Sequence, residues 1–159
     1  MVSRKSNKKS RKTAMKRKIN KNKTLRNGVV SSTENKKKSH IVRIFLEMLN
    51  TIKLYHWKTH SYSQHKATDE LYERLNEHID KFVEVLLGKD EGRIKMVEKH
   101  IELMDFSKGS DFKAQVYEYR EFLIDMNKYF DAKRDSDLLN IRDEILGDIN
   151  QFLYLMTFR

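Results

Sequence analysis

From residue 39 onward, apolar and polar positions alternate with the period of a helix. Ile41, Phe45, Met48, Ile52, Tyr55 and Thr59 recur at spacings of three and four, which predicts a helix A over about 40–59 with Ser39 as its N-cap. A polar stretch from His60 to Gln64 breaks it. Leu71, Leu75, Ile79, Phe82, Val83 and Leu86 then form one stripe, giving a helix B over about 64–87 with Gly88 just past its end. Ile94, Val97, Ile101 and Met104 give a short connecting helix over about 92–105. Helix C is expected over about 111–130, Ala132 to Ser136 make a turn, and Leu138, Ile141, Ile145, Ile149, Phe152 and Met156 mark a helix D over about 137–157. The expected fold class is therefore all-α: a four-helix bundle of up-down type, with a short extra helix between B and C.

Residues 1–38 break this pattern. They are rich in Lys, Arg, Asn, Ser and Thr, and they contain no aromatic residue. Met15, Ile19 and Leu25 show no sustained period. Such a segment buries too little surface to offset its ordering entropy, so a disordered tail is expected over 1–38 and a bundle domain over 39–159. Fully extended, that tail would reach roughly 125 Å.

Composition supports long helices, since the chain has no Pro and only five Gly. It has no Cys, which removes disulfides and thiolate metal sites and fits a reducing compartment. No apolar run approaches the roughly 20 residues that span a bilayer, and the N-terminus lacks the apolar core of a secretory signal, so no membrane partner is expected. The net charge of +10 is unevenly placed. Residues 1–38 carry 15 Lys/Arg and one acid, Glu34, whereas the rest carries 18 Lys/Arg and 22 Asp/Glu. A mildly acidic body therefore bears a strongly basic arm, which points to a polyanionic partner for the arm.

The candidate chemistry lies on helix B. On a helical wheel with His65 at zero, Asp69 falls near about 40°, Asp80 near 60°, Glu73 near 80° and Glu84 near 100°. One imidazole and four carboxylates share an arc that is expected beside the apolar stripe, where carboxylates are costly unless paired or bound to a cation. His56 falls inside the apolar sector of helix A. Imidazole with carboxylate suits iron or zinc, whereas carboxylate alone suits magnesium or calcium. The plainer readings are that a lone His on an apolar face is a satisfied core residue and that an i,i+4 acidic pair is a solvated face. Glu-x-x-His, the common ligand motif of ferritin-type bundles, is absent.

Tyr55-His56-Trp57 followed by His65, Asp69, Asp80 and Glu84 resembles the Dps-type miniferritins of the ferritin-like superfamily. That family has Tyr-His-Trp near the end of helix A and a His-x3-Asp-x10-Asp-x3-Glu run on helix B. The resemblance extends more weakly to Asp148-Ile-Asn-Gln-Phe152 in helix D. The stretch from Tyr55 to Tyr72 also resembles uncharacterised proteins of large DNA viruses. The resemblance implies a dodecameric shell that oxidises Fe(II), with hydrogen peroxide as the usual oxidant, and stores ferric iron, so protecting against oxidative stress. It implies an inter-subunit ferroxidase centre, with His56, His65 and Asp69 from one subunit and Asp80 and Glu84 from its neighbour. Glu73 and His60 are further ligand candidates, and zinc is a possible occupant. Trp57 would stand beside the site as a radical trap or as an interface aromatic. Asp137 aligns with an acid that lines a pore in the family. His56 and His65 are nine residues apart, closer than in typical members, and the family's loop glycine is replaced within Lys58-Thr59-His60-Ser61.

Many members of that family bind DNA through a Lys-rich N-terminal extension. Here Arg4, Lys5, Lys8, Lys9, Arg11, Lys12, Lys16, Arg17, Lys18, Lys21, Lys23, Arg26, Lys36, Lys37 and Lys38 are the candidates for binding nucleic acid. Phosphate contacts release counterions and give salt-dependent affinity. With no aromatic residue to stack on bases, the binding would be non-specific. The expected location is intracellular and DNA-associated: nucleoid, nucleus or virion interior. The alternatives are a solubilising arm, or a structural DNA-compacting shell whose metal site is vestigial or holds zinc.

Overall fold

The structure, a computed structural model, describes the backbone of residues 6–89 and 91–158 and the side chains of residues 32–89 and 91–158. It is an all-α four-helix bundle. The helices are α1 (Ser6–Lys58), α2 (Tyr62–Gly88), α3 (Gly109–Asp125) and α4 (Ser136–Leu155), and a 3₁₀ turn over Met126–Lys128 follows α3. The side chains of residues 1–31, on which most of the disorder and nucleic-acid expectations fall, lie outside the described residues. From residue 32 on, the chain is helical and leads into the body without a break.

That continuity corrects the expected start of helix A. Ser39 is 2 % exposed and is no N-cap: it sits inside α1, and its Oγ accepts from the backbone N–H of Val97 at 2.8 Å. Lys38 is likewise buried, and the Lys37 ammonium lies 4.6 Å over the Phe130 ring and donates to the Tyr129 carbonyl. Of the basic residues before Ser39 that are described, Lys36 is the exposed one.

The apolar stripes meet in one core. Phe45, Phe82, Phe112 and Phe152, one from each helix, are essentially fully buried. Phe45 meets Phe82 edge to face at 5.3 Å, and Phe112 meets Phe152 in the same way at 6.0 Å. Edge-to-face pairs match the positive rim of one ring to the negative face of another. α1 packs on α2, α2 on α4 and α4 on α3.

The connections are not all short. α1 turns into α2 within three residues, and α3 reaches α4 through a short turn. Between α2 and α3, however, the chain must return along the whole bundle. The expected helix over 92–105 does not form, and residues 93–106 are irregular and extended. The reason is reach: fourteen residues of helix cover about 20 Å, whereas extended chain covers about 3.3 Å per residue. The bundle is thus up-down-down-up with one long crossover, the connectivity of ferritin-like folds, rather than simple up-down.

This strap lies along α1 and is held from beneath. Asn35 Nδ2 donates to the Lys95 carbonyl at 3.1 Å, Arg43 pairs with Glu98, and Glu47 Oε1 accepts from the Glu102 N–H at 3.3 Å. Lys58 pairs with Asp105 at the far end. The expected apolar face is only partly used: Ile94 and Met104 are half-buried, whereas Val97 and Ile101 face outward.

Gly88 is also not the left-handed residue expected after helix B. It is the last residue of α2, and the one non-Gly residue with positive φ among those described is Glu91, at 52°.

Candidate functional site

The α1–α2 corner brings the two candidate histidines together. Ser61 caps α2, its Oγ accepting from Gln64 N at 3.4 Å. Gln64 Oε1 in turn accepts from the Tyr55 hydroxyl at 2.7 Å and from Thr59 Oγ1 at 3.0 Å. The Tyr55 ring stacks on Phe112 at 3.9 Å, which ties the corner to α3. The short loop therefore sets the last turn of α1 directly against the first turn of α2.

His56 and His65 stack across this corner with ring centroids 3.9 Å apart and planes 22° from parallel. His56 Nδ1 donates to the His65 carbonyl at 3.0 Å, and His65 Nδ1 donates to the His56 carbonyl at 3.0 Å. A carbonyl accepts only, so each Nδ1 carries the proton, and in each neutral ring the lone pair is on Nε2. Thr68 Oγ1 lies 3.3 Å from His56 Nδ1 while donating to the Gln64 and His65 carbonyls. The bond to the His56 carbonyl also satisfies an acceptor at the C-terminal end of α1, where the helix has no partner of its own to offer.

His56 is 7 % exposed, and its Nε2 faces Asp69 Oδ1 at 3.7 Å. Asp69 also meets Lys53 Nζ at 3.6 Å. A histidine that donates through Nδ1 to a carbonyl and presents Nε2 has the arrangement usual for a metal-ligating imidazole. The same bonds equally staple two helix ends together.

The remaining candidates stand apart. Asp80, Glu84 and Glu73 are exposed. This corrects the expectation that the acidic arc borders the buried stripe: the arc is centred about 140° from the stripe's centre, closer to opposite than to beside it. Asp80 lies eleven residues beyond Asp69, about 16 Å along the helix axis. Within one chain, no three of the described His, Asp or Glu side chains are placed to hold one metal ion. Asp80 and Glu84 have no hydrogen-bond or ion-pair partner among the described residues.

His60 is exposed at the corner, and Trp57 is 69 % exposed next to His56. Asp137 is at the opposite end of the bundle, 3.0 Å from Lys89 Nζ, which also meets Asp135 at 3.0 Å. The Lys89 hydrogen bond holds the Asp137 carboxyl below the usual carboxylate range. For Asp135, partial desolvation pushes upward, but bonds from Lys89 and from the Asp131 backbone outweigh it and the net shift is down. The two carboxylates raise Lys89.

A second polar cluster on the α2–α4 face went unnoticed in the sequence. His78 Nδ1 lies 2.8 Å from Asp148 Oδ2, and Arg74 Nη1 is 3.7 Å from Asp148 Oδ1. The i,i+4 spacing of Arg74 and His78 placed them on one face, but no pattern in the sequence pairs that face with Asp148.

Residues 56–156 match a family of unknown function, DUF5856. The chain belongs to that family. The match begins at His56 and includes His65, Asp69, Asp80 and Glu84, and it excludes the basic segment before α1 enters the bundle. No curated protein and no solved structure matches the chain. Among the described residues of this DUF5856 protein, no helix is long and apolar enough to cross a membrane.

Proposed function

We propose that this DUF5856 protein is a Dps-like miniferritin that oxidises Fe(II), with hydrogen peroxide as the electron acceptor, and stores the ferric product in a hollow shell of identical subunits. The observation that carries this reading is the His56–His65 pair: both Nδ1 protons are committed to backbone carbonyls, so both Nε2 lone pairs are left to a ligand, beside Asp69. Two imidazoles and a carboxylate suit Fe(II), the substrate, and a donor set of this type equally accepts zinc.

In this reading, His56, His65 and Asp69 are the donors that one chain contributes, although among the described residues they are not placed to hold an ion by themselves. Asp80 and Glu84, exposed and unpaired among the described residues, complete the site of a second chain. Carboxylates at that place favour the product, because hard anionic oxygens stabilise the higher charge of Fe(III). Two Fe(II) supply the two electrons that one peroxide takes up. Oligomerisation then becomes a condition for chemistry in this reading, since the described residues of one chain do not gather the donors. Glu73 and His60 are auxiliary ligands at most, and Trp57, exposed next to His56, is the candidate radical trap.

The basic residues before α1 enters the bundle are proposed to bind DNA non-specifically. A shell would present many copies at once, so modest affinity per arm becomes strong through effective concentration. The expected signature is a steep loss of binding with rising salt.

The test is the initial rate of peroxide-dependent Fe(II) oxidation by wild type and Asp80→Ala. The proposal expects a loss of tenfold or more, estimated from the effect of removing one charged group from a metal site. Equal rates would contradict it.

A further inference from the structure

The strap between α2 and α3 has an order of charges that the iron chemistry does not use. Its first half carries Arg93 and Lys95, its second half carries Glu102 and Asp105, and Glu98, Lys99 and His100 lie exposed between them, Glu98 already paired with Arg43. Between and beside these lie Val97 at 52 % exposure, Ile101 at 39 % and Leu103 at 60 %. Three large apolar side chains within seven residues of exposed chain form a ridge, and the ridge is not free to collapse inward. Its underside is already bonded to Asn35, Ser39, Arg43 and Glu47 of α1.

We propose that this ridge is a contact surface for a second copy of the chain, with the two straps running antiparallel about a twofold axis near Lys99. A surface that is basic at one end and acidic at the other, with Val97 and Ile101 flanking a mixed Glu98-Lys99-His100 centre, is complementary to itself under a twofold rotation. The rotation sets Arg93 and Lys95 against Glu102 and Asp105 of the second copy, and it brings the ridges together. A parallel arrangement would set base on base and acid on acid. Twofold contacts of this kind are the commonest in homo-oligomers, because a single patch serves both sides. Asp105 is shared with Lys58 of its own chain, so Glu102 is the freer acidic partner. This contact deepens the assembly in the proposed function by naming a surface, and it stands on the strap's own charge order whether or not the chain oxidises iron.

The chain has no cysteine, so one introduced cysteine is a unique reporter. Lys99→Cys in the full-length protein, under mild oxidation, is expected to give a disulfide-linked dimer on a non-reducing gel. Glu121→Cys, on the exposed face of α3, is expected to stay monomeric on that gel. Absence of the Lys99→Cys dimer, or equal cross-linking by both variants, overturns the proposal. Charge reversal gives a second, independent reading. Lys95→Glu and Glu102→Lys should each weaken self-association by roughly tenfold, and an equimolar mixture of the two should recover it. Unchanged association of each variant, or no recovery on mixing, overturns the antiparallel contact. Iron oxidation is not needed for either readout, so failure of the contact and failure of the ferroxidase reading are separate results.

Discussion

His56 and His65 stack face to face at 3.9 Å, and each donates its Nδ1 proton to the other residue's backbone carbonyl at 3.0 Å. This reciprocal pair has a structural and a chemical consequence. Structurally, it joins the end of α1 to the start of α2. His56→Ala removes one of two side-chain donors to the His65 carbonyl, which keeps Thr68 Oγ1, and takes a buried ring from beside Thr68. We expect a loss of about 1–3 kcal/mol, read from urea denaturation. His65→Ala should cost less, because its ring is only half-buried. Chemically, both neutral rings should show the Nδ1–H tautomer in nitrogen-detected NMR, and the Nε2–H tautomer in either would remove the lone pair from the site.

Asp80→Ala and Glu84→Ala should leave the fold untouched. Both side chains are exposed, and neither has a partner among the described residues. Alanine is also the better helix former. Urea midpoints should therefore correspond to changes within about 0.5 kcal/mol. A loss well beyond that would mean these carboxylates support the bundle, and any drop in activity could not then be assigned to the site.

Tyr119 predicts a pH dependence with a definite sign. Burial raises its phenol above the ordinary value; the hydrogen bond with Thr51 opposes that, and the nearby Glu47 charge adds to it. The hydroxyls of Tyr119 and Thr51 lie 3.0 Å apart. The unfolded chain releases this proton near pH 10, before the folded chain does. Tyr119 thus contributes stability that is complete below about pH 10 and is lost as pH rises through the folded value. In denaturation curves from pH 8 to 11, Tyr119→Phe should fall less steeply than wild type at the alkaline end. Its cost at neutral pH should be about 0.5–1.5 kcal/mol, since Thr51 can turn to its own helix.

Arg142 is a buried cation with a structural task. Its guanidinium donates to the Leu123 carbonyl at 2.7 Å and to Asn127 Oδ1 at 2.9 Å, and it pairs with Asp143 at 2.7 Å. It thereby satisfies the end of α3, where the helix dipole favours positive charge. Arg142→Leu should cost about 1–3 kcal/mol in urea denaturation. Arg142→Lys should recover only part of that, because an ammonium cannot serve three separated acceptors with the guanidinium's geometry.

The sequence made the four helices legible because their apolar stripes are unbroken: Leu71, Leu75, Ile79, Phe82 and Leu86 are all buried as the period requires. The same periodicity misled at Ile94, Val97, Ile101 and Met104, where the distance between helix ends decides the conformation. Ser39 looked like a helix start because Ser is a good N-cap, but its hydroxyl is spent on Val97, a contact 58 residues away that no local pattern encodes. The histidine pair was legible as two residues near a corner. Its stacking and its tautomers were not, since they depend on a loop only a few residues long. The His78–Asp148 contact was likewise hidden, because it joins two helices whose adjacency follows from the crossover.

The central claim is that each site is built from two chains, and complementation tests it most directly. His65→Ala and Asp80→Ala should each be nearly inactive in peroxide-dependent Fe(II) oxidation. Unfolded together and refolded as a mixture, they should regain activity, because an intact histidine half from one chain can meet an intact carboxylate half from the other. Random pairing about a twofold axis restores roughly a quarter of the sites, so about that fraction of the wild-type rate is expected. A mixture no more active than either variant alone would contradict the shared site.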